Sequence, residues 1–105
     1  GTLFGGRLLE WIDEEAAIYA MCQLDTPYIV TKLVSEINFK KPGYRGDVIE
    51  IGVDVVSFGK TSITLMVNAR DKNTKQEILT IDKMVFVCVD ENNIPMPHLK
   101  TKKQQ

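Results

Sequence analysis

Gly5-Gly6-Arg7-Leu8-Leu9-Glu10-Trp11-Ile12-Asp13-Glu14-Glu15-Ala16-Ala17-Ile18-Tyr19-Ala20-Met21 is the stretch whose reading decides the fold. Leu8, Leu9, Ile12, Ala16, Tyr19 and Ala20 recur at three- and four-residue spacing and build one apolar face, which predicts a helix from Gly5 to about Met21. Alanines and long unbranched side chains favour it, and no proline interrupts it. Glu10, Asp13, Glu14 and Glu15 crowd its first half, where the helix dipole favours negative charge. Asp25-Thr26-Pro27 marks the turn that follows.

Beyond that turn the chain reads as strands. Tyr28 to Phe39 is rich in Ile, Val, Thr and Phe, with Ile29, Leu33 and Ile37 on one set of alternating positions. Lys40 to Gly46 carries turn chemistry. Asp47 to Ser57 places Ile49, Ile51, Val53 and Val55 on one face. Phe58-Gly59-Lys60 is a hairpin connection, and Thr61 to Arg70 sets Ile63, Leu65, Val67 and Ala69 together. After a polar loop at 71–75, Glu77 to Val89 forms a last strand whose Val85, Val87 and Val89 share a face. The remainder, about 91–105, reads as irregular. Short connections imply antiparallel neighbours, and one amphipathic helix must bury its face on the sheet. The expectation is a single α+β domain over residues 1–105, a helix followed by four strands.

Composition bounds the function. The 44 % apolar and 26 % charged shares are ordinary for a globular protein. Thirteen basic against fourteen acidic side chains leave no electrostatic footprint for nucleic acid or an anionic membrane, and Lys100-Thr101-Lys102-Lys103 reads as a solvated end. Cys22, Cys88 and His98 are too few for a zinc site, so both cysteines read as free thiols and His98 as an exposed tail residue. No apolar run approaches the roughly twenty residues of a membrane span and no signal peptide is visible, which reads as a cytoplasmic or organelle-matrix protein.

Few residues can carry chemistry. Phe4-Gly5-Gly6 stands before the helix, where glycines admit close backbone approach and the first helical N–H groups lack internal partners. Such an end can stabilise an oxyanion, although on pattern alone a flexible helix start is the better-supported reading. Asp13 falls at the edge of the apolar face beside Leu9, Ala16 and Ala17, where partial desolvation would raise its basicity. Pattern alone favours a boundary carboxylate that reaches water, and Glu15, on the opposite border, is equally admissible. Gly59-Lys60-Thr61 lacks the earlier glycine of a phosphate-binding loop, because Asp54 stands in its place and a strand follows. Lys60, Thr61 and Ser62 can still meet a phosphate or an amide at a sheet end. No serine or cysteine sits in a nucleophile setting.

Three segments together carry a resemblance. Gly1-Thr2-Leu3-Phe4-Gly5-Gly6-Arg7-Leu8-Leu9-Glu10-Trp11-Ile12-Asp13 with Ala16-Ala17 is similar to the helix segment of hot-dog acyl-CoA hydrolases. Val30-Thr31-Lys32-Leu33-Val34-Ser35-Glu36-Ile37-Asn38-Phe39, with Pro42 and Gly46-Asp47, resembles that family's next strand and turn. Phe58-Gly59-Lys60-Thr61-Ser62-Ile63 matches its following hairpin.

The resemblance implies a hot-dog fold, a long helix wrapped by a curved antiparallel sheet. It implies a homodimer with sites at the subunit interface, often assembled into a hexamer, and hydrolysis of acyl-CoA thioesters with no metal or redox cofactor. It assigns Asp13 as general base or nucleophile, and the Gly5 and Gly6 backbone as the group polarising the thioester carbonyl. Thr31, Lys32, Leu33 and Val34, and Lys60, Thr61, Ser62 and Ile63, become the coenzyme A contacts, partly through backbone atoms. Relatives carry a strand and an Asn- or Asp-bearing loop before the position of Gly1, and upstream residues are expected to supply them. Two further functions fit the fold: a non-catalytic acyl-CoA sensor, and an acyl-carrier dehydratase or hydratase. The latter needs a site histidine, and His98 lies in the tail.

Overall fold

A computed structural model describes residues 5–41 and 46–104. Gly1 to Phe4 of the first segment, and Pro42, Gly43, Tyr44 and Arg45 of the turn after the second, lie outside the described residues. The elements are α1 (Gly5–Leu24), β1 (Ile29–Val34), β2 (Ile37–Phe39), β3 (Ile49–Phe58), β4 (Ser62–Asp71) and β5 (Glu77–Cys88). All strand pairs are antiparallel, in the order β1-β5-β4-β3, with β2 also on β5. One long helix against a five-stranded antiparallel sheet is the α+β hot-dog arrangement.

Helix α1 is built from rows four residues apart, the natural ridges of a helix surface. The row Leu8-Ile12-Ala16-Ala20-Leu24 is buried along its whole length. The opposite row, Glu10-Glu14-Ile18-Cys22, is exposed throughout. The core row packs on Ile63, Leu65, Val67 and Ala69 of β4 and on Ile78, Leu79, Ile81, Met84, Phe86 and Cys88 of β5. The helix runs three residues past Met21 and stops at Asp25, whose φ of 61° breaks the helical repeat. Thr26 N–H then donates to Met21 O at 3.2 Å, closing an orphan carbonyl at that end. Because α1 begins at Gly5, its first turn holds no acidic residue. Glu10, Asp13 and Glu14 therefore lie beyond the reach of the helix dipole, which falls off within one turn.

Two features of the sheet depart from the alternation. The run Tyr28 to Phe39 is two strands that keep one register on β5, with Val34 opposite Met84 and Ile37 opposite Ile81. Ser35 bridges the break: its N–H donates to Lys83 O at 2.8 Å and its Oγ accepts from Lys83 N–H at 3.0 Å. Within β1 the register slips between Thr31 and Leu33, making Lys32 the extra residue of a bulge. Ile29 and Thr31 oppose the core residues Cys88 and Phe86, whereas Leu33 opposes Val85 and is 48 % exposed. The expectation that Ile29 and Leu33 share a face fails there, since the extra residue reverses the side chains that follow it within β1, whereas Ile37 on β2 again packs against the core.

Among the described residues, the tail after β5 contains no helix or strand beyond a bridge between Val89 and Pro95, yet it is fastened down. Gln104 and the buried Gln23 exchange three hydrogen bonds of 2.7 to 2.9 Å. Lys103 Nζ lies 2.9 Å from Asp54 Oδ1 on β3. His98, expected to be exposed, is buried. Both cysteines are free, and burial pushes the Cys88 thiol above its ordinary pKa.

Candidate active site

Asp13 occupies the helix row Leu9-Asp13-Ala17-Met21, directly beside the buried row. Leu9, Ala17 and Met21 are half-buried and apolar; Asp13 is the one polar member and is exposed in the single chain. The desolvation expected of it is therefore not supplied by the described residues. Glu15 lies in the row Arg7-Trp11-Glu15-Tyr19-Gln23 on the other border. It lines a groove with Ile18, Tyr19, Cys22, Ile51 and Val53, so that border faces β3. Its row is also closed by the chain itself, through Gln23 and the tail. Asp13 points from the border away from β3, toward the side of the sheet that ends in β1.

Gly5 and Gly6 are the first two residues of α1 rather than its approach. A side chain at Gly6 would meet nothing within 4 Å, so no neighbour in this chain demands a glycine there. Gly6 and Asp13, seven residues apart, share one stripe of the helix and are separated by about 10 Å along its axis. Free N–H groups at one end and a carboxylate two turns on can address the two faces of one carbonyl compound.

Thr31, Lys32, Leu33 and Val34 all lie on β1, exposed along an edge that pairs only with β5 among the described residues. Lys60, Thr61 and Ser62 form the tight β3–β4 turn, closed by Gly59 N–H donating to Ser62 O at 2.9 Å. A side chain at Gly59 would overlap Ser62 Oγ unless that hydroxyl turned away. Ile63 is fully buried under α1, so only its backbone can face a ligand.

The sheet register brings β1 and this turn level with each other. Val87 is flanked by Val30 and Ser62, and Phe86 by Thr31 and Ile63, which puts the two segments two strands apart, roughly 10 Å. The helix start is not brought to the same place. The end of α1 at Leu24 lines a cleft with His98, which contacts the β3–β4 turn, and Asp13 lies about 16 Å back along the helix from Leu24. No group of three or more His, Cys, Asp or Glu side chains among the described residues could hold a metal ion. Among the described residues, no helix is long and apolar enough to cross a membrane.

Sequence reasoning missed His98. Nothing in Ile94-Pro95-Met96-Pro97-His98 has a period that signals burial, because the tail is held by individual bonds and not by a repeating face.

Known proteins share this chain's sequence and shape. Residues 1–78 match the model of the thioesterase superfamily. A Bacillus subtilis (strain 168) protein named an uncharacterized acyl-CoA thioester hydrolase, YkhA, is 30 % identical over 101 residues, covering 91 % of this chain and 57 % of that protein. The hexameric thioesterase y2039 of Yersinia pestis superposes with a TM-score of 0.82 at 29 % identity, over 92 % of this chain and 80 % of that one. The acyl-CoA hydrolase of Staphylococcus aureus, solved with butyryl coenzyme A and coenzyme A, superposes with a TM-score of 0.82 at 30 % identity, over 91 % and 57 %. The chain thus spans little more than half the length of the Bacillus subtilis relative.

Proposed function

Because the chain belongs to the thioesterase superfamily, we propose that it hydrolyses acyl-CoA thioesters to a free carboxylic acid and coenzyme A. The observation that carries this reading is the placement of Asp13, the one polar member of an apolar helix row beside the core. In the reaction the thioester carbonyl carbon gains an oxygen and the C–S bond breaks. Asp13 either accepts the proton of an attacking water or attacks directly to give an anhydride that water then opens; the thiolate leaves and is protonated. Charge developing on the carbonyl oxygen is met by the N–H groups at Gly5 and Gly6. The chemistry uses no metal or redox cofactor, since the residues assigned to it supply a carboxylate and backbone donors.

The assembly is a homodimer, and three dimers form a hexamer like the one named for the Yersinia pestis relative. Support comes from the edge of β1, where Val30, Leu33 and Val34 are exposed and which pairs only with β5 among the described residues. An apolar open edge is a template for pairing with another strand. A second copy there would cover the border that carries Asp13 and provide the desolvation that the described residues do not supply. Coenzyme A, with which the Staphylococcus aureus relative was solved, is held by Thr31, Lys32, Leu33 and Val34 and by Lys60, Thr61, Ser62 and the Ile63 backbone. The side-chain exposure of Lys60 suits a phosphate.

The test is thiol release from a panel of acyl-CoA substrates by the full-length protein. Release from at least one chain length supports the reading. Tight coenzyme A binding with no release from any substrate replaces it with a sensor.

A further inference from the structure

The tail residue His98 holds the β3–β4 turn through a set of bonds that a solvated tail does not need. Lys100 N–H can only donate, and it lies 2.9 Å from His98 Nδ1. That nitrogen is therefore the acceptor, and the ring proton sits on Nε2. Nε2 then donates to Ser62 O at 2.8 Å, and His98 N–H donates to Lys60 O at 3.3 Å. Thr61 O is taken by Cys88 N–H at 2.7 Å. All three carbonyls of Lys60-Thr61-Ser62 are thus engaged, two of them by one residue. Phe58 packs its ring edgewise on the imidazole, with centroids 6.0 Å apart. The backbone at Leu99 takes a φ of 64°, a conformation that branched side chains avoid, and Leu99 is left 88 % exposed. The chain accepts that bend to bring Lys100 N–H onto the ring. The result is a cleft of about 470 Å³ with the turn as one wall and Pro97, Leu99 and Lys100 as the other.

We infer that His98 is a positioning residue for coenzyme A, fixing the shape of the Lys60–Ser62 turn and the tail that faces it. The inference rests on the proposed function, which puts coenzyme A on this turn. His98 itself lies at the end of α1 remote from Asp13, so it governs affinity and not the chemical step.

The experiment compares full-length native protein with His98→Ala, His98→Gln and His98→Asn, using coenzyme A itself as the binding probe and acyl-CoA as substrate. Glutamine can place an N–H donor where Nε2 stood, whereas asparagine can mimic only Nδ1. The Kd for coenzyme A and the KM for acyl-CoA should rise about tenfold in His98→Ala, with kcat within about twofold of native. His98→Gln should recover most of the affinity and His98→Asn little. Amide exchange at residues 59–62 should accelerate in step with the loss of affinity. Unchanged affinity in His98→Ala, a fall in kcat with KM constant, or equal behaviour of the Gln and Asn variants would overturn the inference alone. If His98→Ala does not fold, the Gln and Asn variants still decide it. A native protein that binds no coenzyme A overturns the proposed function, and this inference with it.

Discussion

The two borders of α1 each present an exposed carboxylate, two residues apart in the chain, and they meet different surroundings. Glu15 lies over the chain's own β3, in a row sealed by the Gln23–Gln104 bonds and flanked by the Lys103–Asp54 pair. Asp13 lies in an otherwise apolar row on the side that ends at the open β1 edge. One border is finished by the chain; the other is left uncovered by the described residues. Helical periodicity cannot tell them apart, because both residues flank the same buried row. The order of strands beneath the helix does so.

Five changes test this difference. Ile12→Ala, in the buried row between the borders, should destabilise the fold by about 2–5 kcal/mol in denaturant titration, through lost burial plus the cavity left behind. A smaller loss would show that the helix is only loosely seated, and neither border would then be fixed. Asp13→Glu keeps the charge but shifts it by one methylene. It should lower kcat by about 100-fold, the cost of roughly 1 Å of misplacement, while Glu15→Asp stays within about twofold. Equal losses in the two variants would erase the distinction.

Leu33→Lys puts a charge on the open edge of β1 and should weaken self-association about tenfold or more, read by sedimentation against concentration. Activity at low protein concentration should fall with it. The smallest effect belongs to the finished border. Lys103 and the Val55 N–H hold the Asp54 carboxyl below the ordinary aspartate range. A depressed carboxylate pKa contributes stability that is present above the ordinary value and lost as pH falls through the depressed one. Lys103→Ala should therefore lower Tm slightly at neutral pH, and its melting curve should merge with the native one in acid. Activity should not change.

Much of this architecture is legible in the sequence, and the exceptions share a cause. The helix face, and the inward positions of β4 such as Ile63 and Leu65, follow from periods that local geometry imposes. The bulge at Lys32, the break bridged by Ser35 and the burial of His98 depend on what β5 and the β3–β4 turn offer from distant parts of the chain. A local pattern holds no record of those partners. The candidate site divides the same way. The sequence marks Asp13 and Glu15 as carboxylates on the two borders of one face, and family resemblance singles out Asp13. Ile63 is both an inward position by period and a named coenzyme A contact, and its burial leaves only its backbone for a ligand.

The most direct test of the Asp13 border is single-turnover thiol release by Asp13→Asn at saturating acyl-CoA, where binding no longer limits the rate. Loss of about 10²–10⁴-fold is predicted, the range expected when a general base is removed, with coenzyme A affinity and thermal stability unchanged. Release at a near-native rate from a folded, saturated variant would contradict the account and return the chemistry to another residue.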